Sequence, residues 1–407
     1  MSDFSYWLAC SLFAFYVILL RVISHIMWTP LMHYYGIGPI EMAHLSAAFI
    51  WGYALMCIPA GVLIDSFGVK RCSQISVYLV VFSTFAFFAI KIFWLAVFFR
   101  FLMGVFGSFS FLLVMKVIFE KLPLKHRGIY TGMTFAICTL GAVYCHSVLD
   151  ELSSSYGYLF FASTIIVLGV FLIILMSIIM HEYKSERKNI NFIKYIRPLI
   201  VKVLILGFIA GVVYLPFTLW QGLWGRSFII NAVGLTKIEL VEIMFFMCLG
   251  WIVGSIIIGR LADSIKMSPI IGLLLLLQIS SYFLMNNFLE GDYSLYVMVN
   301  AFIFGFGGSS MLLLYLWTGA ICNRSPSIGI GIVNSCVTLL ICLIFPLIGN
   351  ILYGRKSRIL MDTINSSHYH YIHAKTIISV LLIMAFIAWI VLVVILRSDD
   401  SDNLRAS

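Results

Sequence analysis

Gly61-Val62-Leu63-Ile64-Asp65-Ser66-Phe67-Gly68-Val69-Lys70-Arg71 follows one long apolar run, and Gly259-Arg260-Leu261-Ala262-Asp263-Ser264-Ile265-Lys266 follows another. The leading glycines lie 198 residues apart, as do the two aspartates, and Gly52 and Gly250 inside the preceding runs keep the same spacing. With 407 residues in all, the chain repeats itself at about half its length. In a chain of membrane-spanning segments, such a repeat predicts two similar helical bundles with a site between them.

Composition places the chain in a bilayer. It is 62% hydrophobic and 11% charged, with a mean hydropathy of +1.07, which excludes both a soluble domain and a disordered chain. A hydrocarbon core about 30 Å thick takes roughly 20 apolar residues per helix. Twelve such runs begin near Trp7, Ala43, Ser73, Trp94, Gly128, Tyr156, Leu199, Val241, Pro269, Leu295, Ile328 and Lys375. Backbone polar groups in lipid must be paired within each segment, and these runs are too long and uniform for barrel strands. The expected fold is an all-α membrane protein with twelve transmembrane helices in two pseudo-symmetric six-helix bundles. Residues 1–181 form the first bundle, 182–198 a cytoplasmic linker, 199–396 the second bundle and 397–407 a cytoplasmic tail. The first run lacks a basic leader and a small-residue cleavage site, so it reads as a retained span.

Basic residues set the orientation. With the amino terminus inside, 17 of the 26 Lys and Arg fall in cytoplasmic stretches, 7 fall outside, and Arg21 and Arg100 lie within spans. Both termini are therefore expected in the cytoplasm of a cell inner membrane. The formal charge of +9 reports this topology and an attraction to anionic lipid, not a nucleic-acid site. The nine cysteines sit in or beside apolar runs or in inside loops, and carry neither a disulfide framework nor a metal spacing.

Three patterns carry a resemblance. Gly61 to Arg71 resembles the signature loop between the second and third helices of the major facilitator superfamily, and Gly259 to Lys266 resembles its degenerate repeat between helices eight and nine. Arg100-Phe101-Leu102-Met103-Gly104 is similar to the Arg-x-x-x-Gly pattern of that family's fourth helix. Leu20 to Met27 and Ile58 to Asp65, with Leu223-Trp224-Gly225 and Gly250-Trp251-Ile252-Val253-Gly254, look like a branch with a mid-membrane arginine in the first helix. That branch includes nutrient carriers and lysosomal peptide carriers. The chain departs from the family where Ser66 replaces the usual arginine and Met267 a later glycine. The Gly-Pro pair typical of drug/proton antiporters is missing from the fifth run, around Gly132 to Gly141.

The resemblance implies a twelve-helix secondary carrier without enzymatic activity or cofactor. Its gating set is Gly61, Asp65, Gly68, Arg71, Arg100, Gly259 and Asp263. Physically, an aspartate at such a turn can cap a neighbouring helix or pair with a base, and the glycines let backbones approach. The bland reading is a tight cytoplasmic turn with a solvated Lys70-Arg71 pair.

Charge inside a bilayer costs roughly 2.5–3.5 kcal/mol on insertion scales and normally faces a cavity or a partner. Arg21 falls near the middle of the first run with His25 one turn beyond on the same face. These are read as an anchor for a carboxylate or phosphate and a titratable neighbour, against pairing with backbone carbonyls or snorkelling. Beside its place in the gating set, Arg100 is read as a proton relay or a brace against the first helix, and Lys116 as snorkelling outward. In the seventh run, Pro216 precedes Trp220 and Gln221, read as solute contacts or an aromatic belt. Asn300, Asn334 and Gln278 are candidates for solute contacts or interhelical hydrogen bonds.

For proton coupling the candidates are His25, His146 and Glu242. His368-Tyr369-His370-Tyr371-Ile372-His373 lies in an expected outer loop without the Cys or acidic residues that would complete a metal site. No phosphate-cradling loop suggests ATP drive. The leading reading is a monomeric secondary transporter of a small polar, carboxylate-bearing solute (amino acid, short peptide or organic acid), working by alternating access with protons as a possible coupling ion. The rivals are a drug, siderophore or metabolite exporter, and a membrane sensor that keeps a carrier scaffold without flux.

Overall fold

The structure, a computed structural model, describes residues 3–144, 150–184, 192–221, 236–288, 295–352 and 364–405. Its principal helices are α1 (Asp3–Ile26), α2 (Pro39–Phe67), α3 (Val69–Ala89), α4 (Phe93–Lys121), α5 (Leu124–Tyr144) and α6 (Asp150–Ile179). The second set is α7 (Ile200–Gln221), α8 (Lys237–Ala262), α9 (Met267–Phe288), α10 (Leu295–Ile321), α11 (Pro326–Leu352) and α12 (Ile364–Arg405). Each of the twelve apolar runs is thus a helix.

Among the described residues, eleven of these helices are long and apolar enough to cross a membrane. The remaining helix is α5. It opens with Lys125, His126 and Arg127 and carries Thr131, Thr134 and Thr139, which lower its hydropathy. Those hydroxyls are buried inside the protein, and Thr134 accepts a 2.9 Å hydrogen bond from the Trp7 indole of α1.

Local chemistry sets the helix ends. Pro39 opens α2, where its missing N–H costs nothing. Thr236 and Glu239 form a reciprocal capping box at the start of α8, with Glu239 Oε2 accepting from the Thr236 N–H at 2.7 Å. Between α2 and α3 the chain reverses through one residue, Gly68, at φ +84°, a conformation a Cβ would disfavour.

Each bundle is assembled around one backbone-to-backbone crossing. A Cβ on Gly52 of α2 would overlap the Phe101 carbonyl of α4, and one on Gly104 would overlap the Phe49 carbonyl in return. The second bundle repeats this between α8 and α10: Gly250 lies on Phe302, and Gly305 on Met247. Lipid gives helices no hydrophobic reason to associate, so close van der Waals packing across small residues has to hold them. Both α4 and α10 are interrupted after this crossing, at Ser108 and Ser309. There the hydroxyls take the carbonyls of Val105 (2.8 Å) and Phe306 (2.6 Å), the kind of local competition that bends a helix.

The two lobes meet where α2 packs on α11 and α5 on α8. The final helix differs from expectation at both ends. It begins before Lys375, so His368 to His373 lie on helix and not in a loop, and it runs past residue 396 to Arg405.

Candidate functional site

The two signature loops lie at one end of the bundle, hereafter the loop face, and both reach across to the opposite lobe. Asp65, fully buried, pairs with Lys116 of α4 at 2.8 Å, and its second oxygen accepts from the Ser325 hydroxyl at the start of α11. Lys116 is only 3% exposed, so it does not snorkel as expected; burial beside a carboxylate replaces the solvent it would otherwise seek. Asp263 makes the matching contact by another route. Its two oxygens accept the N–H groups of Gly128 (2.7 Å) and Ile129 (3.0 Å) in α5, placing negative charge at the positive end of that helix.

Glycines let these contacts form. A Cβ on Gly61 would sit 2.5 Å from the Ser327 carbonyl of α11, and one on Gly259 would sit 2.6 Å from that of Gly128 in α5. Gly132 likewise lies against the Ser255 carbonyl of α8, and Gly331 of α11 against that of Cys57 in α2. The lobes are therefore in backbone contact at the loop face along two related seams. Tyr195, between the lobes in sequence, adds a tie by accepting the Arg324 N–H at 3.2 Å, and its burial pushes the hydroxyl pKa up. Ser325→Ala removes the cross-lobe bond while leaving the Asp65–Lys116 pair intact. It is expected to weaken closure by about 1.5–3 kcal/mol, the worth of a hydrogen bond to a charged group. Faster maleimide labelling of Cys57, buried in the α2–α11 seam, is the readout.

A cavity of about 100 Å³ lies deeper, lined by both lobes. Tyr53, one of its walls, is 12 residues before Asp65 on α2, so the cavity is about 18 Å from the loop-face contacts. Arg21 faces it, with its guanidinium carbon 5.7 Å from the centre of the Tyr214 ring of α7. No carboxylate pairs with Arg21 among the described residues. Tyr214, Phe217 and Trp251 form one aromatic wall, the Phe217 and Trp251 rings 4.4 Å apart.

A second wall joins the lobes. The Tyr315 hydroxyl of α10 donates to Asn334 Oδ1 at 2.9 Å, and Asn334 Nδ2 donates to the Tyr53 hydroxyl at 3.0 Å. Phe111 and Phe135 pack on Tyr315 beside this bridge, ring centres 4.9 and 5.8 Å away.

The remaining predicted residues are dispersed. Arg100 is fully buried, with Nη1 donating to the Leu20 carbonyl (2.7 Å) and Nη2 to the Arg21 carbonyl and the Ser24 hydroxyl (both 3.2 Å). It braces α4 against the part of α1 that carries Arg21, away from the loop face. Arg71 is exposed at the start of α3, outside the seams, and Gly68 forms the turn beside it. Asn300 donates to the Tyr296 carbonyl of its own helix, and Gln278 to the Val213 carbonyl of α7, neither lining the cavity. Glu242 is half-buried on α8 and is also outside the cavity lining. His146 lies outside the described residues. His25, Trp220 and Gln221 belong to helices whose backbone is described, but their side chains are not among the described ones. No group of three or more metal-ligating residues occurs among the described residues.

Sequence reasoning missed Tyr53, Tyr214, Phe217 and Tyr315. Tyrosines in the middle of spans, away from interfaces where their hydroxyls would be wet, were the available signal. A family model described as Major Facilitator Superfamily matches residues 8–346. No curated protein gives a significant match.

Proposed function

The chain belongs to the major facilitator superfamily and is a multi-pass secondary transporter, and from that premise we propose that it carries a small carboxylate-bearing solute by alternating access. The observation that carries this reading is Arg21, a charge at membrane depth that faces a two-lobed cavity and makes no ion pair among the described residues. A half-buried guanidinium there meets no counter-ion among the described residues, so an anionic solute supplies a partner. Asn334, Tyr53 and Tyr315 bridge the lobes next to the same space, so bound solute acts where the lobes must part.

In this scheme the seams at Asp65 and Asp263 hold the loop face closed while the solute exchanges on the other side. Breaking them lets the lobes rock about the cavity. The loop face bears Lys70, Arg71, Lys121, Arg127, Arg260 and Lys266, so we place it in the cytoplasm of an inner membrane, with both termini on that side. The protein works as a monomer, because the cavity is completed by its own two lobes. Protons are the coupling ion, with His25 one turn from Arg21 as the titratable group.

Uptake of labelled 3-phenylpropionate, succinate, alanine and dialanine into proteoliposomes tests the reading. At least one is transported, faster under an inward proton gradient, and Arg21→Gln slows it about 10- to 100-fold, matching the loss of a charge-assisted hydrogen bond. Uptake indifferent to Arg21→Gln removes the anchor.

A further inference from the structure

The described residues lining the cavity carry one charge sign, and several of their polar groups are already spent. Arg21 is the single formally charged side chain among the described residues that line it; no aspartate, glutamate, histidine or lysine is present. Several of its hydroxyls and its amide are already committed, whereas the Ser110 hydroxyl is without a hydrogen-bond partner among the described residues. Thr139 donates to the Phe135 carbonyl (2.9 Å), Thr338 to the Asn334 carbonyl (2.8 Å), and the Asn334 amide is held between Tyr315 and Tyr53. Besides the Ser110 hydroxyl, what remains open toward a solute is aromatic surface: Tyr214 beneath the Arg21 guanidinium, with Phe217 and Trp251 packed against it.

The geometry points to a narrower substrate class than the carboxylate-bearing solutes proposed above: a monocarboxylate with a flat, apolar body and no ammonium group. This inference rests on the carboxylate-anchor reading and restricts it. The carboxylate pairs with Arg21, and the body continues from it along Tyr214 onto the Phe217–Trp251 wall. An α-ammonium group on the same solute is desolvated beside Arg21, which repels it, and meets no anionic side chain among the described lining residues; such a buried, uncompensated charge is strongly disfavoured. A sugar fares little better, because its several hydroxyls meet mostly engaged donors and acceptors, with the Ser110 hydroxyl as the exception. A bare short acid loses the aromatic contact. Zwitterionic amino acids and peptides, which an arginine alone admits, are thereby selected against.

Equilibrium binding of radiolabelled 3-phenylpropionate, phenylalanine, 3-phenylpropanol and propionate to the purified full-length chain tests this. 3-Phenylpropionate is expected to bind about 30-fold more tightly than each of the other three, a difference of about 2 kcal/mol. Arg21→Gln should bring the acid level with the alcohol, whereas Trp251→Leu should bring it level with propionate and leave its advantage over the alcohol. If Trp251→Leu disturbs folding, Tyr214→Leu provides the same test from the neighbouring ring. 3-Phenylpropionate that binds no tighter than phenylalanine, or not at all, overturns the inference. Arg21-dependent binding of phenylalanine would do so while leaving the carboxylate anchor standing; equal binding of acid and alcohol that ignores Arg21 would remove both.

Discussion

Asp65→Asn is expected to cost about 3–5 kcal/mol, because it leaves the Lys116 ammonium buried without its counter-ion. Asp65 is fully buried and Lys116 nearly so, and no solvent is at hand to replace the lost carboxylate. The same change weakens the bond from Ser325, so the penalty falls on the lobe and on the contact between lobes together. Two measurements separate these parts. The melting temperature of the purified protein should drop well below that of Ser325→Ala, and labelling of Cys57 should accelerate beyond the rate seen in Ser325→Ala. Asp65→Leu combined with Lys116→Met should recover most of the melting temperature, since an apolar pair of similar volume often replaces a buried ion pair without loss. It should not recover slow labelling, because the Ser325 hydroxyl still lacks its acceptor. A double variant as unstable as Asp65→Asn would mean that the pair's charge is not what stabilises this region.

Gly104→Leu and Gly132→Leu should fail in different ways, although each adds a side chain against a backbone carbonyl. Gly104 meets the Phe49 carbonyl within the first lobe, at the crossing on which α2 and α4 are assembled. Backbone cannot move there without opening the lobe, so a loss of about 3 kcal/mol or more is expected, seen as low yield and a depressed melting temperature. Gly132 meets the Ser255 carbonyl across the seam between α5 and α8. Lobes that can part accommodate the new side chain by parting, so Gly132→Leu should keep its yield and helical content while losing transport. It should also label rapidly at Cys57, because the loop face no longer closes. If Gly132→Leu closed normally and transported, the seam would not be the moving contact.

Which parts of this molecule could be read from the chain follows from the range of the interactions. The duplicated turn, the twelve runs and the glycine pair at 52 and 250 are local patterns, and membrane physics turns each directly into helices and close crossings. Arg21 stood out because a charge in an apolar run is conspicuous whatever it touches. Asp263, at the end of α8, meets backbone N–H groups of α5, one of the two contacts that an aspartate at such a turn allows. Lys116 was misread because its partner is 51 residues away, and its own neighbours in sequence say only that it is near the end of a span. Arg100 braces α1 through three oxygens, one of the two readings open from the sequence, although nothing around it says which oxygens it meets. Tyr53, Tyr214 and Tyr315 looked like ordinary apolar bulk until three helices from both lobes brought them to one cavity.

Membership of the bilayer, the helix count and the duplication were determined by the sequence alone, because hydropathy and backbone pairing act segment by segment. The single charge sign of the cavity's described lining, its aromatic wall and the Tyr53–Asn334–Tyr315 bridge were decided only by the tertiary structure. Their meaning depends on which faces of distant helices are turned toward one another, and helix packing, not local propensity, sets those rotations.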